Sequence, residues 1–169
     1  MKFPLIILGM GNELFGDDGV GLYVAERLSS LIGSSDKICI MTTNYGGLRI
    51  LDFLQGYRSA IIIDAISTGI NPQGYVYRFK GTELVKTMRL VSYHDINFVT
   101  TLHLAKLMGI PVPKNIIVFG IEIVQATEFR EGLSPEVLQG AEYCIEQVKK
   151  EILKFKPKKF PEALCYPKI

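Results

Sequence analysis

The 169-residue chain predicts an α/β fold: a three-layer sandwich with a mostly parallel, twisted five-stranded sheet and helices on both faces. Three observations predict it. Short continuous apolar runs recur along the chain and stop at glycine or aspartate, as strands buried on both faces do. Segments with apolar residues at helical spacing separate those runs. Such alternation is met by parallel strands joined through helical crossovers.

The elements follow in order. Residues 4–9, PLIILG, form the first buried strand. Residues 19–32 carry Val20, Val24, Leu28, Leu31 and Ile32 at helical spacing, and Asp17 or Asp18 stands at the N-cap position. Of the two, Asp17 is the expected cap. Residues 37–41, KICIM, make a short second strand, and 47–55 a helix with Leu48, Leu51 and Leu54 in a stripe. SAIII, residues 59–63, is a third buried strand ending at Asp64. Asn71-Pro72-Gln73-Gly74 signals a turn into an alternating edge strand at 75–79. Residues 81–93 carry no clear pattern. A helix over 95–108 is capped by Asp95 and closed by Gly109, with His103 as a packing residue inside it. NIIVFGI, residues 115–121, is the last buried strand. Ser134-Pro135-Glu136 opens a final helix through Val137, Leu138, Cys144, Ile145 and Val148 to about Ile152. Residues 1–155 thus read as a single α/β domain, followed by a Lys/Pro-rich tail at 156–169.

Composition narrows the function classes. Hydrophobic residues make up 48% and charged residues 21%, enough for a real core. The net charge of +2 is nearly balanced, which argues against a nucleic-acid binder. No apolar run reaches the roughly 20 residues of a membrane helix. The N-terminus reads as a buried strand rather than an export signal, so the expected setting is cytoplasmic, away from membranes. Cys39, Cys144 and Cys165 are scattered without a CxxC pair, which indicates neither a zinc knuckle nor a disulfide framework.

In open α/β sheets the ligand crevice lies beyond the carboxyl ends of the strands. The first strand runs into Gly9-Met10-Gly11-Asn12 and then Asp17-Asp18, the third into Asp64, and the fifth into Gly120 and Glu122. Parallel strands would bring Asp18 and Asp64 to one rim, within reach of His94 just before a helix start. Desolvated carboxylates repel each other and call for a cation or a proton. Two carboxylates and an imidazole suit nickel, zinc, cobalt or manganese. Familiar alternatives are missing: HExxH, a GxSxG elbow and a P-loop do not occur. The dinucleotide fingerprint fails because Leu14 occupies its third glycine position. A phosphate site on the Gly9–Gly11 amides would be repelled by the paired aspartates.

On these residues the chain resembles the [NiFe]-hydrogenase maturation endopeptidases. GMGNELFGDDGVGLYVAERL at 9–28 is similar to that family's signature, IIIDAI at 61–66 to its strand ending in Asp-Ala, SYH at 92–94 to its Ser-x-His, and GIE at 120–122 to a weaker fourth motif. The resemblance implies a hydrolase, aspartate-type by family, that removes the C-terminal extension of a hydrogenase large-subunit precursor. It implies Asp18, Asp64 and His94 as metal-binding and catalytic residues. It also implies that nickel arrives on the precursor, with no permanent cofactor. Gly9, Gly11, Asn12, Asn44, Gly46 and Gly47 are the expected substrate-contacting residues. The chain departs from the family in two places. Thr42-Thr43-Asn44-Tyr45-Gly46-Gly47 lacks the usual acidic residue before the glycine pair, and Ile123 replaces the usual proline after Gly-Ile-Glu. A precursor-binding chaperone without proteolytic activity is the second reading.

Overall fold

The computed structural model describes residues 3–32, 37–81, 98–124 and 128–155. Five strands form one sheet: β1 (Phe3–Met10), β2 (Ile38–Thr43), β3 (Tyr57–Ile66), β4 (Val76–Lys80) and β5 (Asn115–Glu122). Their spatial order is β2-β1-β3-β5-β4. The first four in that order run parallel, and β4 closes the edge antiparallel to β5. The described helices are α1 (Val20–Ile32), α2 (Ile50–Leu54), α3 (Phe98–Leu107) and α4 (Pro135–Lys154). Short 3-10 turns at Gly16–Gly19 and Gly47–Arg49 lead into α1 and α2.

The apolar runs are continuous because alternate side chains enter two separate cores. Leu5 and Ile7 of β1, Ile61 and Ile63 of β3, and Phe119 and Ile121 of β5 pack beneath α1 and α4. Their neighbours Ile6, Leu8, Ala60, Ile62 and Ile116 face the other way, against Ile50 and Leu54 of α2 and Phe98 and Leu102 of α3. Each fully buried Ile or Leu contributes roughly 1.5–3 kcal/mol through burial alone. A one-residue slip in any central strand would exchange the two sets.

Several expectations shift. The third strand extends beyond residue 63 to Ile66, so Asp64 lies inside β3 rather than after it. Leu31 is 52% exposed, and Ile32 packs on the core in its place. The helix expected over 47–55 opens as a 3-10 turn and holds only five α-helical residues. In α3 the sheet-facing stripe is Phe98, Thr101, Leu102 and Ala105, which leaves His103 exposed instead of packed. Gly109, at φ +68, follows that helix as its sequence position predicts, and the Ile110 N–H bonds back to the Ala105 carbonyl at 2.8 Å. The expected Asp95 cap and the tail at 156–169 lie outside the described residues.

Candidate active site

Glycine sets the geometry of the β1–α1 connection. A Cβ on Gly9 would strike the Gly21 carbonyl and the Ala25 side chain, and one on Gly21 would strike the Met10 and Ile63 carbonyls. Without side chains at these points α1 lies directly on the strand backbones, so its N-terminus sits over the carboxyl ends of β1 and β3. Gly9 is therefore buried under α1 as a packing residue. At Gly11, φ +147 and the adjacent Asp18 carbonyl exclude a side chain as well. The loop between them is tied locally: the Asn12 N–H donates to the Asp18 carbonyl at 3.3 Å, and Asn12 Oδ1 accepts the Leu14 N–H at 3.1 Å.

The paired aspartates have different environments. Asp17 is 6% exposed and does not cap α1. Its Oδ1 instead accepts the backbone N–H of Ser134, the N-cap residue of α4, at 2.6 Å. Gln73 Nε2 donates to Asp17 Oδ2 at 2.7 Å and to Ser134 Oγ at 2.8 Å. An anionic carboxylate at a helix N-terminus satisfies an orphan donor and complements the helix dipole. Asp18 is half-buried. Burial pushes its carboxyl above the ordinary aspartate value, while a backbone N–H of Asn12 pulls the other way. Asp17 is thus consumed by structure, and Asp18 is the one at which charge is disfavoured.

The 3-10 turn bearing Asp18 packs against β3. In β3, Asp64 is half-buried, stands opposite Gly120 in register, and accepts the Ala65 N–H on its own Oδ1 at 2.9 Å. Strand alternation puts Asp64 on the face of Ala60 and Ile62, the face covered by α2 and α3. Both aspartates therefore belong to the carboxyl-end rim. His94 lies outside the described residues, and among the described residues no group of three His, Cys, Asp or Glu side chains is arranged to hold a metal. Two carboxylates with one acid destabilised as the free anion are chemically suited to a divalent transition ion, which would remove that penalty.

On the neighbouring loop Asn44 is exposed and Gly46 and Gly47 are half-buried, with Gly47 at φ +59. Arg49 lies over the Tyr45 ring, 4.4 Å from its centroid. A cleft of about 380 Å³ opens between this loop, the Asn12–Leu14 turn and α1.

Glu122 has a role that its position at a strand end only hinted at. It is 3% exposed. Its carboxylate accepts the Thr68 N–H at 2.7 Å, the Gly69 N–H at 2.9 Å and the Thr68 hydroxyl at 2.7 Å. With the Thr68 hydrogen committed, Tyr77 Oη donates to Thr68 Oγ1 at 2.9 Å and accepts from Asn71 Nδ2 at 2.9 Å. The segment after Asp64 is thereby bound to β5. No periodicity marks such a buried polar network, because its partners come from three separate segments.

Comparison with known proteins agrees with this architecture. A family model described as HycI, hydrogenase maturation protease, matches residues 22–151. The hydrogenase 2 maturation protease of Escherichia coli K12 is 26% identical over 145 residues, covering 85% of this chain and 87% of that protein. The hydrogenase expression/formation protein HupD of Thiocapsa roseopersicina is 24% identical over 153 residues, covering 89% and 68%. Among solved structures, the hydrogenase maturating endopeptidase HybD from E. coli superposes with a TM-score of 0.71 at 22% identity, covering 90% of this chain and 93% of that one. The [NiFe] hydrogenase maturation protease HycI from Thermococcus kodakarensis KOD1 gives 0.66 at 26% identity, covering 90% and 94%. With the mostly parallel sheet and the family match extending over most of its length, this chain belongs to the hydrogenase maturation protease family.

Proposed function

We propose that the chain is an endopeptidase that removes the C-terminal extension of a [NiFe]-hydrogenase large-subunit precursor once nickel has been inserted. Family membership supports the reaction class. The observation that carries the site is the difference between the paired aspartates: Asp17 is bound to Ser134 and Gln73, while Asp18 carries the raised carboxyl pKa beside β3. In this reading Asp18, Asp64 and His94 supply an incomplete ligand set for the nickel that the precursor brings. Nickel so held would polarise the scissile carbonyl or activate a water. A three-ligand set leaves room for ligands from the precursor, which makes nickel the recognition element and removes the need for a resident metal. In this reading Gly11, Asn12, Asn44, Gly46 and Gly47 contact the precursor, and Gly9 supports them through its packing against α1. The reaction, in the same reading, takes place in the cytoplasm.

The test is incubation with nickel-loaded and nickel-free precursor, read by intact mass. Shortening of the loaded form alone is the expected result. Full cleavage by the Asp18→Ala, Asp64→Ala and His94→Ala variants would discard the site assignment. A stable complex without shortening would favour the chaperone reading, for which the missing acidic residue in the Thr42–Gly47 stretch is the supporting feature.

A further inference from the structure

The cleft beside the Asn12–Leu14 turn has three properties that together specify an occupant. It is acidic: Glu13 and Glu26 stand on its walls, no Lys or Arg among the described residues lines it, and neither carboxylate forms an ion pair with a described residue. Its apolar surface is supplied by Leu14, 56% exposed, and by Leu22, one helical turn before Glu26 on the same face of α1. Its remaining wall is the end of β2, an edge strand that pairs only with β1 among the described residues. The Gly11 N–H donates to the Thr43 carbonyl at 3.3 Å, so Thr43 turns its backbone groups toward β1. In a strand the next residue points its N–H and C=O the opposite way, so Thr42, which lines the cleft, directs both away from β1 toward the sheet edge.

We infer that this cleft receives an extended segment of the substrate polypeptide flanking the cut, added as a strand along Thr42, with a Lys or Arg side chain between Glu13 and Glu26. The inference rests on the proteolytic reading above and adds a substrate preference to it. An exposed backbone pair offers main-chain hydrogen bonds without regard to sequence, and the flanking carboxylates supply the selection. The cleft is continuous with the candidate active site through Asn12, which lines the cleft and donates its N–H to the Asp18 carbonyl. A peptide bound there would leave the cleft at the Asp18 loop.

Two capped octapeptides of alternating Thr and Val, one with a central Lys and one with a central Glu, probe the cleft on the full chain by amide chemical shifts. The Lys peptide is expected to shift Asn12, Thr42 and Asn44, to slow exchange of the Thr42 amide, and to bind about tenfold more tightly than the Glu peptide. In a Glu13→Lys/Glu26→Lys variant the preference inverts. Equal binding of both peptides, shifts confined to another surface, or an unchanged preference in the variant would each overturn the inference. On a nickel-loaded precursor that carries a Lys or Arg near the cut, the same variant should lower kcat/KM about tenfold, with recovery when that residue is changed to Glu. A chain that binds the Lys peptide in the cleft but leaves loaded precursor uncut would defeat the protease reading alone. A chain that cuts precursor with no charge preference would defeat the cleft assignment alone.

Discussion

Asp17 Oδ1 and the Ser134 backbone N–H meet at 2.6 Å across 117 positions of sequence, joining the β1–α1 loop to the start of α4. The contact binds the segment that carries Asp18 to the helix on the same face of the sheet. Removing it strands a buried donor and frees the Gln73 amide. Asp17→Ala should therefore cost about 2–3 kcal/mol. For a chain of this size the thermal midpoint would fall by roughly 5–10 °C. Urea and thermal melts measure the loss, and a midpoint within 1 °C of wild type would refute it.

Asp18 should behave in the opposite sense. Its folded pKa is raised above the unfolded value by burial, so the native state favours the protonated acid. The stability associated with that acid is fully present below the unfolded pKa and is lost as pH rises through the folded one. Asp18→Asn is therefore expected to raise the melting temperature at pH 7, with the advantage vanishing below about pH 4. The same variant should lose cleavage of nickel-loaded precursor. A variant more stable at acid than at neutral pH relative to wild type would contradict the sign.

Glu122 discriminates hydrogen-bond loss from charge loss. Glu122→Ala leaves two backbone N–H groups and a hydroxyl of the 68–69 segment without their acceptor, costing about 3 kcal/mol. Glu122→Gln keeps one oxygen for both N–H groups, and its amide can donate to a reversed Thr68 hydroxyl, so about 1 kcal/mol is expected. Comparable losses in both variants, measured by denaturant midpoints, would show that charge rather than bonding holds the segment.

The close approach of α1 to the sheet predicts that Gly9→Ala is costly. The new methyl meets backbone oxygen, which cannot swing aside, and about 3 kcal/mol is expected. At Gly47 a Cβ meets open space, and Gly47→Ala should cost only its left-handed conformation, about 1 kcal/mol. Equal destabilisation of the two variants would contradict the packing account.

Much of this was legible in the sequence for a simple reason: period. Strands buried on both faces must be apolar throughout, so PLIILG, SAIII and NIIVFGI announced a central parallel sheet, and Tyr75–Phe79 announced an edge by alternating. The glycines after β1 announced a tight backbone approach, and the parallel course of β1 and β3 brings the loop bearing Asp18 and the segment bearing Asp64 to the carboxyl side of the sheet. Side-chain direction within an element was less readable. Leu31 and His103 sit in apolar neighbourhoods of sequence, but a helix buries one stripe only, and which stripe depends on where the sheet lies.

The sequence by itself determined the layers, the strand directions and the rim that holds the candidate site, because those follow from local period and from the chirality of crossovers. Tertiary structure alone decided how neighbouring residues divide the work. Asp17 and Asp18 are adjacent and chemically identical, yet one is bound to Ser134 and the other is left with a disfavoured charge. That distinction arises from partners contributed by α4 and by the loop before β4, and pairings across such separations leave no periodic trace in the chain.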